Sequence, residues 1–149
     1  MKNKCLLILV FTITLSCKNT DQMLDKFSFN SMLLSTDKLI IKLYDTNKVI
    51  QLTKSYSKTF EIKKNYSVVN EKKIESFREI FNNAKKTDYC CCPISNYSIT
   101  FINNNKILNL FYVDTIENKQ KIRIYERNYQ YSYIINKAKW KNFITSIEK

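Results

Sequence analysis

The stretch TDYCCCPIS, residues 87–95, sets three thiols in a row, Cys90, Cys91 and Cys92, ahead of the single proline in the chain. Thiolates are nucleophiles and soft-metal ligands, and two of them can hold Cu(I) linearly. In an extended backbone side chains alternate, so Cys90 and Cys92 share one face and Cys91 takes the other. The outer pair then has Cα atoms about 6.5 Å apart, near the far limit for a disulfide. Adjacent cysteines close only as a strained ring, and a bend before Pro93 relaxes the spacing of the outer pair. Three is an odd number, so at least one thiol lacks a partner within the triplet. Three readings stay open: thiols packing at the start of a strand, a disulfide inside the triplet, or a soft-metal or thiol-exchange module. No His or Met stands nearby and there is no CxxC. Lys85 and Lys86 favour a thiolate, while the negative end of a preceding helix opposes it.

Other chemistry is bounded by absence. The 149 residues contain no histidine and no glycine. Ser-His, Cys-His and zinc-histidine mechanisms are thereby excluded. So are glycine-rich phosphate loops, dinucleotide fingerprints and the GxSxG elbow. Nothing is spaced like a catalytic constellation of Lys, Tyr, Asp, Glu or Cys, and the expectation is a non-enzyme without a cofactor.

The N-terminus speaks to location. In MKNKCLLILVFTITLSC, Lys2 and Lys4 precede an apolar run and then polar SCKNTDQ. A basic start and a short apolar core form a secretory signal peptide. The run of about 11 residues is too short to span a bilayer. The sequence TLSCKNTD resembles the lipobox of bacterial lipoproteins. Ser16 matches the small residue before the cysteine, while Leu15 and Thr14 stand where that pattern has a small residue and Leu. The resemblance implies cleavage before Cys17 and a diacylglycerol thioether on it, usually with an N-acyl chain such as palmitate. Two or three acyl chains hold a protein stably on a membrane. The expected organisation is signal peptide 1–16, lipidated tether 17–26 and one domain, 27–149. The expected location is the cell envelope, on the inner or outer membrane, facing the periplasm or the cell surface. From Cys17 to Lys149 the chain has 133 residues, with 23 basic against 13 acidic side chains, net +10. That length supports one core.

The elements that would position any site follow from periodicity. KLIIKLY (38–44) and KVIQLT (48–53), around DTN, read as a hairpin. KTFEI (58–62) reads as a further strand, and 27–36 as a short helix or an edge strand. NEKKIESFREIFNNAKK (70–86) carries Ile74, Phe77, Ile80, Phe81 and Ala84 on one stripe, with Asn70 as N-cap. NYSITFI (96–102) alternates, putting Tyr97, Ile99 and Phe101 on one face. The Asn run 103–105 turns the chain, because Asn tolerates a left-handed φ. KILNLFYV (106–113) is apolar on both sides, as a central strand is. KIRIYE (121–126) and YQYSYII (129–135) are two more strands. Asn136 caps a last helix, 136–148, whose Trp140, Phe143, Ile144 and Ile147 face inward. The fold class is α+β in two layers: a mostly antiparallel sheet of about five to seven strands with both helices on one face. This pattern looks like that of many small bacterial lipoproteins.

Arg123, Tyr125, Tyr129, Tyr131 and Tyr133 read as an aromatic-basic patch. Aromatics on a sheet beside cations stack bases, and positive charge draws phosphates. An exported lipoprotein meets anionic lipid or an acidic protein rather than nucleic acid. Tyr-rich strands are also ordinary sheet material. The functional expectation is a membrane-anchored binding or structural module. A Cu(I) or thiol module on Cys90–Cys92 is the first alternative, and an immunity or inhibitor-type lipoprotein the second.

Overall fold

In the computed structural model the described residues are 28–45, 50–51, 61–87, 94–116, 118–127 and 131–148. By backbone contacts the chain divides into residues 1–32 and 33–149. Of the first unit only residues 28–32 are described, and they are helical; the helix, α1, runs over 28–35. Everything below concerns the second unit.

Strand β1 (Lys38–Tyr44) buries Leu39 and Ile41 on one face and carries Lys38, Ile40, Lys42 and Tyr44 on the other, and a strand inside a sheet needs a neighbour on each edge to pair its backbone groups. It has them: β3 (Ile62–Val68) on one side and β6 (Tyr97–Asn103) on the other, both antiparallel. The hairpin expected over 38–53 does not form. Strand β2, Ile50–Gln51, pairs instead with β5 (Ile94–Ser95) in a separate two-stranded ribbon; residues 46–49, 52 and 53 lie outside the described set. The strand expected at 58–62 starts at Ile62 instead and runs on to Val68; residues 58–60 lie outside the described set.

The meander formed as its alternation dictates. Strand β6 turns at Asn104 and Asn105, with φ of 48° and 63°, into β7 (Lys106–Asp114). Asn takes this left-handed region more readily than other side-chain-bearing residues, which is how a chain without glycine makes a tight hairpin. Then follow β8 (Lys121–Glu126) and β9 (Ser132–Asn136); of the strand expected at 129–135, residues 129 and 130 lie outside the described set and Tyr131 precedes β9. The sheet order is β3-β1-β6-β7-β8-β9-β4, all antiparallel and open, with β4 being Lys85–Lys86.

Helix α2 (Glu71–Ile80) starts where Asn70 Oδ1 accepts from the Lys73 N–H at 3.2 Å. It ends six residues before the helix end expected at 86. Phe81 caps it, Asn83 turns left-handed at φ 73°, and the chain leaves to pair with β9. Lys85 and Lys86 therefore lie in a strand, not in a last helical turn. Because β3 and β4 are opposite edges, α2 carries the chain across the whole sheet. Helix α3 (Lys137–Ile147) begins at Asn136, whose side chain accepts from Ala138 and Lys139 N–H.

Both helices lie on one face. Phe77 of α2 packs its ring on Phe101 of β6 and on Phe143 of α3, at 5.8 and 5.2 Å. Trp140 meets Tyr97 edge-on at 5.4 Å. Leu39, Ile41, Ile99, Phe101, Phe111, Val113, Ile122 and Ile124 complete this core. Among the described residues no helix is long and apolar enough to cross a membrane.

Candidate functional site: a hydroxyl row across the sheet

Register decides what the other face presents. Lys42 stands opposite Ser98, Ser98 opposite Tyr112, Tyr112 opposite Tyr125 and Tyr125 opposite Ser132. Side chains alternate along a strand, so these five lie together on the face away from α2 and α3. They form one polar row across five strands. Ser98 is 3% exposed, Tyr125 1% and Ser132 5%. Buried hydroxyls need partners. Tyr44 Oη and Ser98 Oγ are 2.9 Å apart, and Thr87 Oγ1 and Ser132 Oγ 3.0 Å. The Tyr112 and Tyr125 rings pack at 5.8 Å.

Burial pushes the Tyr112 phenol up from its usual value; Arg127 opposes the shift and Tyr44 adds to it. A phenol raised in this way stays protonated at neutral pH. It is therefore not a phenolate nucleophile.

The next row carries charge. Asp114, 2% exposed, stands directly opposite Arg123. Opposite charges in cross-strand register attract. Asp114 Oδ1 also accepts the Ile116 N–H at 2.8 Å, closing an Asx turn at the end of β7. Beside it, Asn96 Oδ1 accepts from Thr115 N–H at 3.3 Å and from Thr115 Oγ1–H at 3.0 Å. These interactions hold the β5–β6 corner against β7.

The aromatic-basic patch expected from sequence is divided by this register. Arg123 and Tyr125 lie on the hydroxyl-bearing face. Tyr133 stands opposite Ile124, which places it, and Tyr131 two residues before it, on the helix-bearing face. Tyr131 and Tyr133 belong to the core there: Tyr133 meets the Phe81 ring edge-on at 6.1 Å, and Lys86 Nζ lies 6.0 Å from the centre of the Tyr131 ring. A stacking platform needs exposed ring faces on one side of a sheet, and these tyrosines do not supply one. Tyr129 lies outside the described residues, as do Cys17, Cys90, Cys91 and Cys92.

Two polar features of the helix-bearing side were not singled out from sequence. Glu126 is buried in line with Ile41, Ile99 and Phe111, and Asn109 Nδ2 donates to its Oε1. At the sheet edge, Glu148 accepts from Lys64 Nζ and from Tyr66 Oη, each at 2.7 Å, tying the end of α3 to β3. The Lys64 hydrogen bond, and after it that of Tyr66, holds the Glu148 carboxyl below its ordinary value. Glu148 in turn raises Lys64. Tyr66 is raised first by burial and then by Glu148. Nothing local in the sequence joins residues so far apart.

Within this arrangement Tyr44 with Ser98, Thr87 with Ser132 and Asn96 with Thr115 satisfy one another's polar atoms. Among the described residues no group of three or more His, Cys, Asp or Glu is placed to hold a metal ion. Comparison with protein-family models, with curated proteins and with solved structures returned no match.

Proposed function

We propose that this chain is a membrane-anchored lipoprotein of the cell envelope whose α+β domain binds or scaffolds rather than catalyses. The observation that carries the reading is MKNKCLLILVFTITLSC at residues 1–17, a basic start, a short apolar run and a cysteine after a small residue. An acylated Cys17 supplies attachment, and the domain that follows is presented at the membrane surface. The hydroxyl row supports the non-catalytic half of the reading. Tyr44 with Ser98, Thr87 with Ser132 and Asn96 with Thr115 spend their polar atoms on holding strands together. Burial moves the Tyr112 phenol further from ionisation, away from a phenolate nucleophile.

Cell fractionation of the Cys17→Ser chain tests this. The parent chain is expected in the membrane pellet, and the variant in the soluble or unprocessed fraction. Mass analysis of the parent's N-terminal peptide should show acyl chains on Cys17. A variant that still pellets as a processed chain, or an unmodified Cys17, would sink the reading.

A further inference from the structure

Among the described residues six large apolar side chains are exposed, and four of them gather at one end of the sheet. Ile107 and Leu108 open strand β7 just after the Asn104–Asn105 turn. Val69 follows the end of β3, and Leu34 precedes β1. The hydrogen bonds bring these segments together: Asn103 Nδ2 donates to Ser35 O at 2.5 Å, and the Asn104 N–H donates to Asp37 Oδ2 at 2.7 Å. Ile107 is 71% exposed and Leu34 70%. Leu108 is the extra residue of a bulge, since Phe101 pairs with Asn109 while Ile102 pairs with Ile107. Bulges re-aim side chains. Lys38 and Lys106 stand in the same corner, at the first positions of β1 and β7. Two acids stand at this end as well: Asp37, whose Oδ2 accepts the Asn104 N–H, and Glu71, the first residue of α2.

Apolar side chains at a hairpin tip, rimmed by lysines, match the chemistry of an anionic lipid interface. The hydrocarbon groups enter between headgroups and the ammonium groups meet phosphate. Exposed apolar residues that cluster, rather than standing singly, mark contact surfaces. The net charge of +10 from Cys17 to Lys149 favours an anionic surface.

We propose that the β6–β7 hairpin end is a membrane-docking surface, with Ile107, Leu108, Leu34 and Val69 inserted at the level of anionic headgroups and Lys38 and Lys106 on their phosphates. This rests on the anchored reading above for its proximity to a bilayer, and it adds an orientation, with the hairpin end down and the strand ends at Ile62 and Ile116 away from the lipid.

Tryptophan at each end of the sheet tests it. The full chain, extracted from membranes, is reconstituted into phosphatidylglycerol vesicles as Ile107→Trp and, separately, as Ile116→Trp. The native Trp140 is buried and gives a constant background. The expected result is a blue-shifted Ile107→Trp emission, quenched by brominated phosphatidylglycerol, beside an Ile116→Trp emission that is neither. Equal quenching of the two, or of neither, overturns the proposal. Quenching that is as strong in phosphatidylcholine vesicles overturns the anionic requirement. An Ile107→Trp emission that shifts only when an acidic protein is added overturns it in favour of a protein partner. Failure of the anchored reading looks different: Cys17→Ser stays in the pellet, whatever the contrast between the two tryptophans.

Discussion

Phe77 is the residue on which both layers meet. It is buried between Phe81, Phe101 and Phe143, with ring centres 5.2 to 5.8 Å away. Its place was legible in the helix stripe. Its partners were not, because one lies 24 residues on and another 66. Removing a buried aromatic loses transfer free energy and leaves a cavity, so Phe77→Ala should cost about 3–5 kcal/mol. Equilibrium denaturation measures this; a loss below 1 kcal/mol, or roughly that of a surface substitution, would contradict the packing. Asn104 and Asn105 were legible for a different reason. A turn is local, and in a chain without glycine few residue types tolerate a positive φ. The tyrosines were less legible. Their spacing of two says that Tyr131 and Tyr133 share a face, but not which face, nor that Tyr125 takes the other.

At the scale of elements, ends and edges are where sequence reading was corrected. The stripe from Ile74 to Ala84 continues past the true end of α2, because periodicity cannot see that Lys85 and Lys86 are claimed by β9. Asn70 and Asn136 did mark the helix starts, since a cap is a contact within three residues. The far end of α3 is held by a long-range contact, Glu148 with Lys64 and Tyr66. Its pH dependence has a defined sign. Glu148 is lowered in the fold, so its contribution is present above the ordinary carboxylate value and is lost as pH falls through the lowered one. Lys64 is raised, so its contribution is complete below the ordinary ammonium value and is lost as pH rises through the raised one. Glu148→Gln should therefore be less stable than the parent at neutral pH and converge with it in acid. Denaturation midpoints at both pH values decide this, and a difference that does not change with pH would count against the contact. Both groups are exposed, so the effect is small and weakens in salt.

For the whole molecule, strand order was the hidden quantity. Helix α2 links one edge of the sheet to the other, and β1 lies between β3 and β6 rather than beside its neighbour in sequence. Attachment is also a property of the whole chain. If acyl chains hold it, screening charge will not release it. Washing membranes in about 1 M salt, where the Debye length is about 3 Å, should leave the parent chain in the pellet. Release by salt alone would mean that lysines, not lipid, carry the attachment.

By itself the sequence determined the local facts: strands at 38–44 and 121–126, a strand read at 96–102 and found one residue on at 97–103, two helix starts capped by asparagine, a two-asparagine turn, and the α+β class. Each rests on contacts within a few residues, where side-chain period and φ preference act directly. The tertiary structure decided which strands are neighbours, and through register it decided which side chains share a face. That is why the hydroxyl row, the Asp114–Arg123 pairing, the Glu148 contact and the apolar hairpin end came into view only with the fold. Pairing between distant strands is chosen by the total of core burial and edge satisfaction over the sheet, a sum that no window along the chain contains.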